Sequence, residues 1–243
     1  MSAGWEAHAQ WWQDGFTDGA DPEYEEQMLP IAAERLAGAR RVLDVGCGEG
    51  QLARLATKAG ACTVVGVDPT WGQVAEGRRR NGGPHYARAE AASLPFADAS
   101  FDAVVACLVF EHIEAVDDAL AEVGRVLEPG GRFLFFLNHP LLQTPGSGWI
   151  DDQVLDPPEQ YWRIGPYLDE SVMVEEVAKG VHLPYVHRPL SRYVNALVAS
   201  GLVIREMLEP PPPPGFLALA PEYVEAQTIP RLLYLHCERE MPT

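Results

Sequence analysis

Val42-Leu43-Asp44-Val45-Gly46-Cys47-Gly48-Glu49-Gly50 is the stretch from which the rest of the chain is read. The apolar run from Arg41 to Val45 predicts a short buried strand that ends at Gly46. From Gln51 to Ala59, the residues Leu52, Leu55, Ala56 and Ala59 share one face, which predicts a helix directly after the turn. Gly46, Gly48 and Gly50 carry no Cβ, so the backbone turns sharply there and a ligand approaches the main chain closely. A strand, a glycine turn and a helix N-terminus is the general build of an α/β nucleotide site.

The finer pattern disfavours a dinucleotide. The glycines fall as G-x-G-x-G with Gln51 following, whereas a pyrophosphate turn reads G-x-G-x-x-G. Asp44 stands two residues before the first glycine, where a carboxylate repels a pyrophosphate and suits a positively charged ligand. The stretch resembles motif I of the class I S-adenosylmethionine-dependent methyltransferases, in the form V-L-D-V-G-C-G-x-G. Asp44, Gly46 and Gly48 match the family's ligand-facing positions. S-adenosylmethionine has an ammonium and a sulfonium and no phosphate, so the resemblance implies that cofactor. It places the turn, with Cys47, at the methionine and sulfonium end.

Later segments add to this reading. Thr63–Asp68 is a second apolar strand ending in an acid, twenty residues after Gly48. In a βαβ unit that spacing sets Asp68, with Pro69 beside it, within reach of a ribose whose two hydroxyls it accepts. Trp71 is either a cover for the adenine or an indole packed on the surface. His85–Ala89 reads as a third strand. By resemblance, the segment after it supplies Glu90 to the adenine amino group and the Ala91 N–H to a ring nitrogen. Ser100–Val109 is nearly continuous in apolar residues, as expected for a central parallel strand buried on both faces. Its end, from Cys107 through Leu108, is expected to face the methionine part through the backbone. Phe110-Glu111-His112-Ile113 follows, in place of the D/N-P-P-Y/F tetrapeptide of many nucleic-acid amino-methyltransferases. His112 is read either as a structural residue at a helix start, the favoured reading, or as a contact to the cofactor or substrate. Val116–Leu127 is an amphipathic helix stopping at Glu128-Pro129-Gly130-Gly131, and Arg132–Leu137 is a fifth strand.

The resemblance covers roughly residues 38–138. It implies an α/β fold: a Rossmann-like seven-stranded sheet, mostly parallel with an antiparallel last strand, with helices on both faces and an insertion at the rim. Four regions are expected. Residues 1–37 form an N-terminal helical cap. There Trp5, Ala9, Trp12 and Phe16 share a face over residues 4–16, and Asp21-Pro22 starts a second helix carrying Tyr24 and Met28. Trp12 and Tyr24 are the candidates for covering the ligand mouth. Residues 38–138 bind the cofactor. Residues 139–189, rich in Pro, Gly and Asp, leave the C-terminal end of the fifth strand, the rim where open α/β sheets bind ligands, and are assigned to a substrate lid. Residues 190–243 complete the sheet through the helix Ser191–Ser200, the strand Leu202–Leu208, a stiff Pro210–Pro214 connector and a last strand over Ile229–Cys237.

Composition narrows the acceptor. With 243 residues, 47% of them apolar, the chain makes one α/β domain with an insertion. It has 18 basic and 35 acidic residues, a net charge of −17, which repels nucleic acid and anionic membranes. The one basic run, Arg78-Arg79-Arg80, reads as a complement to a helix C-terminus. A small neutral or cationic acceptor is expected, with no nucleic-acid and no membrane partner. No apolar run reaches the roughly 18 residues of a membrane span, and no secretory leader opens the chain, so the cytoplasm is the expected compartment. Four scattered cysteines without a C-x-x-C pair read as reduced thiols, and the seven histidines show no zinc spacing, so no metal is expected.

Methyl transfer from a sulfonium is an in-line displacement, helped by a general base when the acceptor is a hydroxyl or amine. His139, His187 and Tyr185, in or beside the insertion, are the candidate bases. Two other readings stay open: a cofactor-binding regulatory protein without transferase activity, and an NAD(P)-dependent oxidoreductase. Asp44→Asn or Gly46→Val is expected to weaken cofactor binding with the fold retained.

Overall fold

The computed structural model describes residues 2–221 and 225–241. Its sheet grows outward from β1 (Arg41–Val45), which lies between β2 (Thr63–Asp68) and β4 (Phe101–Cys107) and runs parallel to both. β3 (His85–Arg88) extends β2 in parallel, and β5 (Leu127–Asn138) extends β4 in parallel. β11 (Leu232–Arg239) runs antiparallel between β5 and β10 (Leu202–Leu208), giving the order β10-β11-β5-β4-β1-β2-β3. This is the expected seven-stranded sheet, with its one antiparallel strand a single place in from the edge. The last strand begins at Leu232 and not at Ile229; Pro230, with no N–H, cannot donate to a ladder.

Period-two alternation sorts the strand side chains onto two faces. Leu43, Val45, Val104, Ala106, Phe133, Phe135 and Leu137 point to one face, against α5 (Val116–Val126) and α6 (Leu190–Ala199). Val42, Ala103, Val105, Cys107, Leu134 and Phe136 point to the other, against α2 (Leu29–Leu36) and α3 (Gln51–Lys58). Asp102 fixes the entry to β1, since its carboxylate accepts from the Arg40 and Arg41 backbone N–H groups at 2.9–3.1 Å.

The N-terminal helices sit over the C-terminal ends of the strands. α1 (Ser2–Phe16) is followed by a π-helical turn at Tyr24–Met28 that runs straight into α2. Pro30 does not break this continuous run: the π-helical turn directly precedes it, with the Leu29 N–H bonded to the Tyr24 carbonyl, and the helix continues to Leu36. Glu6 on α1 accepts from the Trp71 and Gly72 N–H groups at 2.7 and 2.9 Å and so caps α4 (Trp71–Arg80). Gln13 Nε2 donates to Gln73 Oε1 at 2.9 Å, and Arg80 donates to Asp18 at 2.9 Å. Glu6→Ala removes the first of these ties. We expect hydrogen exchange across Ser2–Phe16 to rise several-fold, with a loss of only about 1 kcal/mol in global stability. Exchange mass spectrometry with a parallel thermal melt checks both.

Residues 139–189 hold two β-hairpins that sequence periodicity does not show. β6 (Gly148–Asp152) pairs with β7 (Glu159–Arg163), and β8 (Ser171–Ala178) pairs with β9 (Val181–His187). β7 and most of β8 are solvated on both faces, which removes the alternation, and Pro184 interrupts the apolar pattern of β9. α7 (Pro214–Leu219) begins within the proline connector. No helix among the described residues is long and apolar enough to cross a membrane.

Candidate active site

The chain leaves β1 toward β2 on one side and returns to β4 on the other. A crevice opens where the strand order reverses. There, at the C-terminal ends of β1, β2 and β4, lies a cavity of about 270 Å³. All ten residues expected at the cofactor line it: Asp44, Gly46, Cys47, Gly48, Asp68, Pro69, Glu90, Ala91, Cys107 and Leu108.

The turn after β1 is held by β2. The Gly46 and Cys47 N–H groups both donate to the Val67 carbonyl, at 2.8 and 3.0 Å. Gly46 has φ +70°, and a Cβ there would lie 2.4 Å from Val109 Cγ2. Gly48 has φ +53°, but a Cβ there would meet nothing nearer than Trp12 Nε1 at 3.5 Å. The first glycine is thus required by the protein's own packing, while the second faces open space. Gly46→Val is therefore expected to disturb the fold, against the expectation from sequence that it is retained. Across the cavity, Leu108, the residue directly after β4, has φ +55°, a left-handed conformation unusual for leucine. Its N–H donates to the Phe136 carbonyl at 3.0 Å, so β5 fixes this bend.

Three buried carboxyls line the cavity: Asp44, Glu49 and Asp68. Asp44 is 1% exposed, and its Oδ2 has no hydrogen-bond partner among the described residues. Burial pushes the Asp44 carboxyl up to about 8; the Ala53 backbone N–H works against this, and Glu49 and Asp68 add to it. Asp68 accepts from the Gly48 N–H at 3.0 Å through Oδ2 and from the Thr70 N–H at 2.8 Å through Oδ1. Burial raises its carboxyl too. Glu49 is tied to Arg54 at 2.8 Å. Among the described residues, neither lysine nor arginine lines the cavity. Its field therefore favours a positively charged ligand.

The N-terminal helices form the far wall. Trp5, Trp12 and Tyr24 line the cavity; Trp12 packs edge-on to Trp5 at 5.6 Å and to Tyr24 at 6.2 Å. Trp12 and Tyr24, the two candidates for covering the ligand mouth, thus both line the cavity, and Trp5, on the same helical face as Trp12, does so too. Trp71 is 48% exposed and lies outside the cavity, under the Arg78 guanidinium at 5.3 Å.

The three candidate bases stand elsewhere. None of them lines the cavity. His139 has both ring nitrogens engaged: Nδ1 accepts from the Leu141 N–H at 3.2 Å, so Nε2 carries the proton and donates it to Glu209 Oε1 at 2.8 Å. His187 is fully buried, and its Nε2 donates to the Tyr167 carbonyl at 2.9 Å. Burial pushes the Tyr185 hydroxyl well above the usual tyrosine range, so it keeps its proton. The histidine that does line the cavity is His112, whose position after β4 was the available signal.

Known proteins share this arrangement. A family model described as a methyltransferase domain matches residues 43–135. The chain is 33% identical over 165 residues to a demethylmenaquinone methyltransferase of Thermobifida fusca, covering 61% of this chain and 67% of that one. It is 37% identical over 108 residues to a malonyl-[acyl-carrier protein] O-methyltransferase of Enterobacter lignolyticus, covering 44% and 41%. The crystal structure of an S-adenosylmethionine-dependent methyltransferase from Mesorhizobium loti matches with a TM-score of 0.72 at 29% identity, over 87% of this chain and 96% of that one. The chain spans about half the length of the first curated relatives it matches. With the motif I turn, the seven-stranded sheet and the crevice at its reversal point in agreement, the chain belongs to the class I S-adenosylmethionine-dependent methyltransferases.

Proposed function

We propose that this chain transfers a methyl group from S-adenosylmethionine to a small-molecule acceptor. The observation that carries the proposal is the partnerless, fully buried Asp44 Oδ2 at the cavity floor. An unpaired buried carboxylate is costly, and a ligand cation relieves that cost. The ammonium of S-adenosylmethionine is such a cation.

The other residues fit the rest of the cofactor. Each Asp68 oxygen already accepts one backbone N–H and keeps a lone pair for one hydroxyl of the ribose diol. The Ala91 N–H makes no hydrogen bond among the described residues and is open to an adenine ring nitrogen, with Glu90 beside it for the exocyclic amine. Cys47 and Gly48 bring the turn's backbone to the amino-acid portion, and Cys107 and Leu108 do the same from β4. When bound, the cofactor supplies a methyl group on a sulfonium, with a neutral thioether as leaving group. The chain's task is then to align the acceptor and exclude water, and Trp5, Trp12 and Tyr24 serve that purpose. In this reading residues 1–37 are the cap, 38–138 the cofactor-binding core, 139–189 the acceptor-side lid and 190–243 the completion of the sheet.

The relatives are named for demethylmenaquinone in one case and for malonyl-[acyl-carrier protein] in the other. What such unlike acceptors leave in common is the donor. Asp68→Ala is expected to weaken S-adenosylhomocysteine binding by roughly 10–100-fold, the range of about 1.5–3 kcal/mol for hydrogen bonds to a charged group. Calorimetric titration measures it. The activity itself is tested by incubating the chain with S-adenosylmethionine and metabolite extract. A product heavier by one CH₂, formed in step with S-adenosylhomocysteine, supports the transferase. Tight binding with no homocysteine product from any extract supports a regulatory protein instead.

A further inference from the structure

We infer that His112 is the proton acceptor of this site, and that the methyl acceptor is an uncharged aromatic molecule bearing a weakly acidic X–H group. The inference rests on the methyltransferase reading above.

The geometry sets the tautomer. His112 Nδ1 lies 2.7 Å from the Pro184 carbonyl oxygen on β9. A carbonyl oxygen only accepts, so Nδ1 carries the proton and Nε2 holds the lone pair. No described residue hydrogen-bonds Nε2, and the residue lines the cavity. The ring is also held sideways. Trp5 meets it edge-to-face at 4.9 Å, and Tyr185 approaches at 6.1 Å. Three elements distant in sequence thus converge on one imidazole: α1, the 3₁₀ turn Phe110–His112 and β9. Pro184 also abuts α1, since a Cβ on Gly4 would lie 3.4 Å from Pro184 Cδ.

The neighbouring groups are poor competitors for the proton. Tyr24, Cys47 and Cys107 keep their own protons, because burial pushes all three well up. Glu49 is paired with Arg54. Asp68 is committed to two backbone amides, and Glu114 is solvent-exposed. Asp44 Oδ2 and Glu49 Oε1 also lack a hydrogen-bond partner among the described residues, but Asp44 is assigned to the ligand's ammonium, Glu90 to the adenine, and Glu49 is held by Arg54; of the groups left to the methyl acceptor, His112 offers an unengaged lone pair.

The wall around it describes the acceptor. Trp5, Trp12, Val109 and Ile113 present apolar and aromatic surface next to the imidazole, which favours a flat apolar molecule. With neither lysine nor arginine among the described lining residues, the chain supplies no side-chain cation to balance a carboxylate or phosphate on the acceptor beside Asp44, Glu49 and Asp68. The acceptor's X–H bond breaks with its electron pair left on X, and the proton passes to Nε2. The pair on X is then available to the methyl that the cofactor supplies. The resulting imidazolium donates from both nitrogens, with Nδ1–H still held by the Pro184 carbonyl, and later returns its extra proton to solvent.

The test uses the full chain with ¹⁵N-labelled histidine rings, saturated with S-adenosylhomocysteine, and His112→Asn to assign the resonance among the seven histidines. The ligand-loaded chain should show His112 protonated at Nδ1 and bare at Nε2. Adding 2-naphthol should move the Nε2 resonance as it accepts a hydrogen bond, and 2-naphthoate should bind at least tenfold more weakly. His112→Asn, and His112→Gln as a second variant, should bind S-adenosylhomocysteine within about threefold of wild type while losing most of their affinity for 2-naphthol. A proton found on Nε2, an Nε2 resonance unmoved by 2-naphthol, or 2-naphthoate binding as tightly as 2-naphthol would overturn the inference while leaving the cofactor assignment standing. Failure of the wild-type chain to bind S-adenosylhomocysteine would instead remove the methyltransferase reading, and this inference with it.

Discussion

Asp44→Asn is expected to raise the melting temperature of the ligand-free chain and to remove most of its affinity for S-adenosylmethionine. The two effects share one cause. Asp44 is buried with Oδ2 unpartnered, and its carboxyl sits at about 8 in the folded chain against 3.8 as a free side chain. The folded state therefore binds a proton more tightly than the unfolded state. The stability Asp44 allows is fully present below about pH 4 and is lost as pH rises toward about 8. Asparagine carries no such penalty but leaves amide N–H donors without partners. The net gain near neutral pH is about 1–2 kcal/mol, or roughly 2–8 °C for a chain of this size. The gap between variant and wild type should widen from pH 4 to pH 8 and level off above it, which melts across that range will show. The same substitution deletes the counter-charge for the ligand's ammonium. Removing one partner of a buried charge pair costs about 2–5 kcal/mol, so affinity should fall by at least roughly 30-fold. A residue whose removal stabilises the free protein and disables binding is placed for the ligand and not for the fold.

Gly46→Ala and Gly48→Ala are expected to part company although they lie two residues apart. At Gly46 the added methyl would stand 2.4 Å from one Val109 γ-carbon and 2.5 Å from the other, at φ +70°. Val109 adjoins the Leu108 bend, so relieving the clash displaces the β4 end. A loss of about 3 kcal/mol or more, combining overpacking with left-handed strain, lowers the melting temperature by roughly 6–12 °C. At Gly48 there is room, with Trp12 Nε1 the nearest atom at 3.5 Å. The penalty is then only the backbone strain of about 1–2 kcal/mol. But the methyl occupies space that the ligand is expected to use, so binding should drop at least tenfold with the fold retained. Thermal melts and titrations on both variants measure the contrast. Gly48→Ala, not Gly46→Val, is the substitution that isolates binding from folding at this turn.

How far the sequence carries depends on the range of the interaction involved. Asp44, Asp68 and the glycine turn are local patterns tied to strand ends. Once the strands are recognised, the topology brings these residues to one crevice, and all of them line it. The insertion was harder. β7 and β8 do not bury one face against a core, so they lack the alternation by which a strand is recognised, and β9 carries Pro184. The proposed base was harder again. His139 and His187 lie on the rim by sequence position, but a position after a strand does not fix where a ring points. His139 turns to Glu209, seventy residues away, and His187 turns to Tyr167. His112 acquires its orientation only through the carbonyl of Pro184, seventy-two residues along the chain. Pairings of that range leave no periodic trace.

The central claim is that Asp44, buried with its Oδ2 unpartnered among the described residues, awaits the cation of S-adenosylmethionine. It is tested most directly by calorimetric titration of S-adenosylmethionine into wild type and Asp44→Asn at pH 7, repeated in buffers of different ionisation enthalpy. The wild-type Asp44 carboxyl, at about 8, is mostly protonated at that pH and must ionise to pair with the ligand. The expected result is one equivalent bound with release of a proton, seen as a binding enthalpy that tracks the buffer. In Asp44→Asn, binding should be at least roughly 30-fold weaker and the release should vanish. Equal affinity in the two proteins, or binding of NAD(H) where S-adenosylmethionine does not bind, would contradict the account.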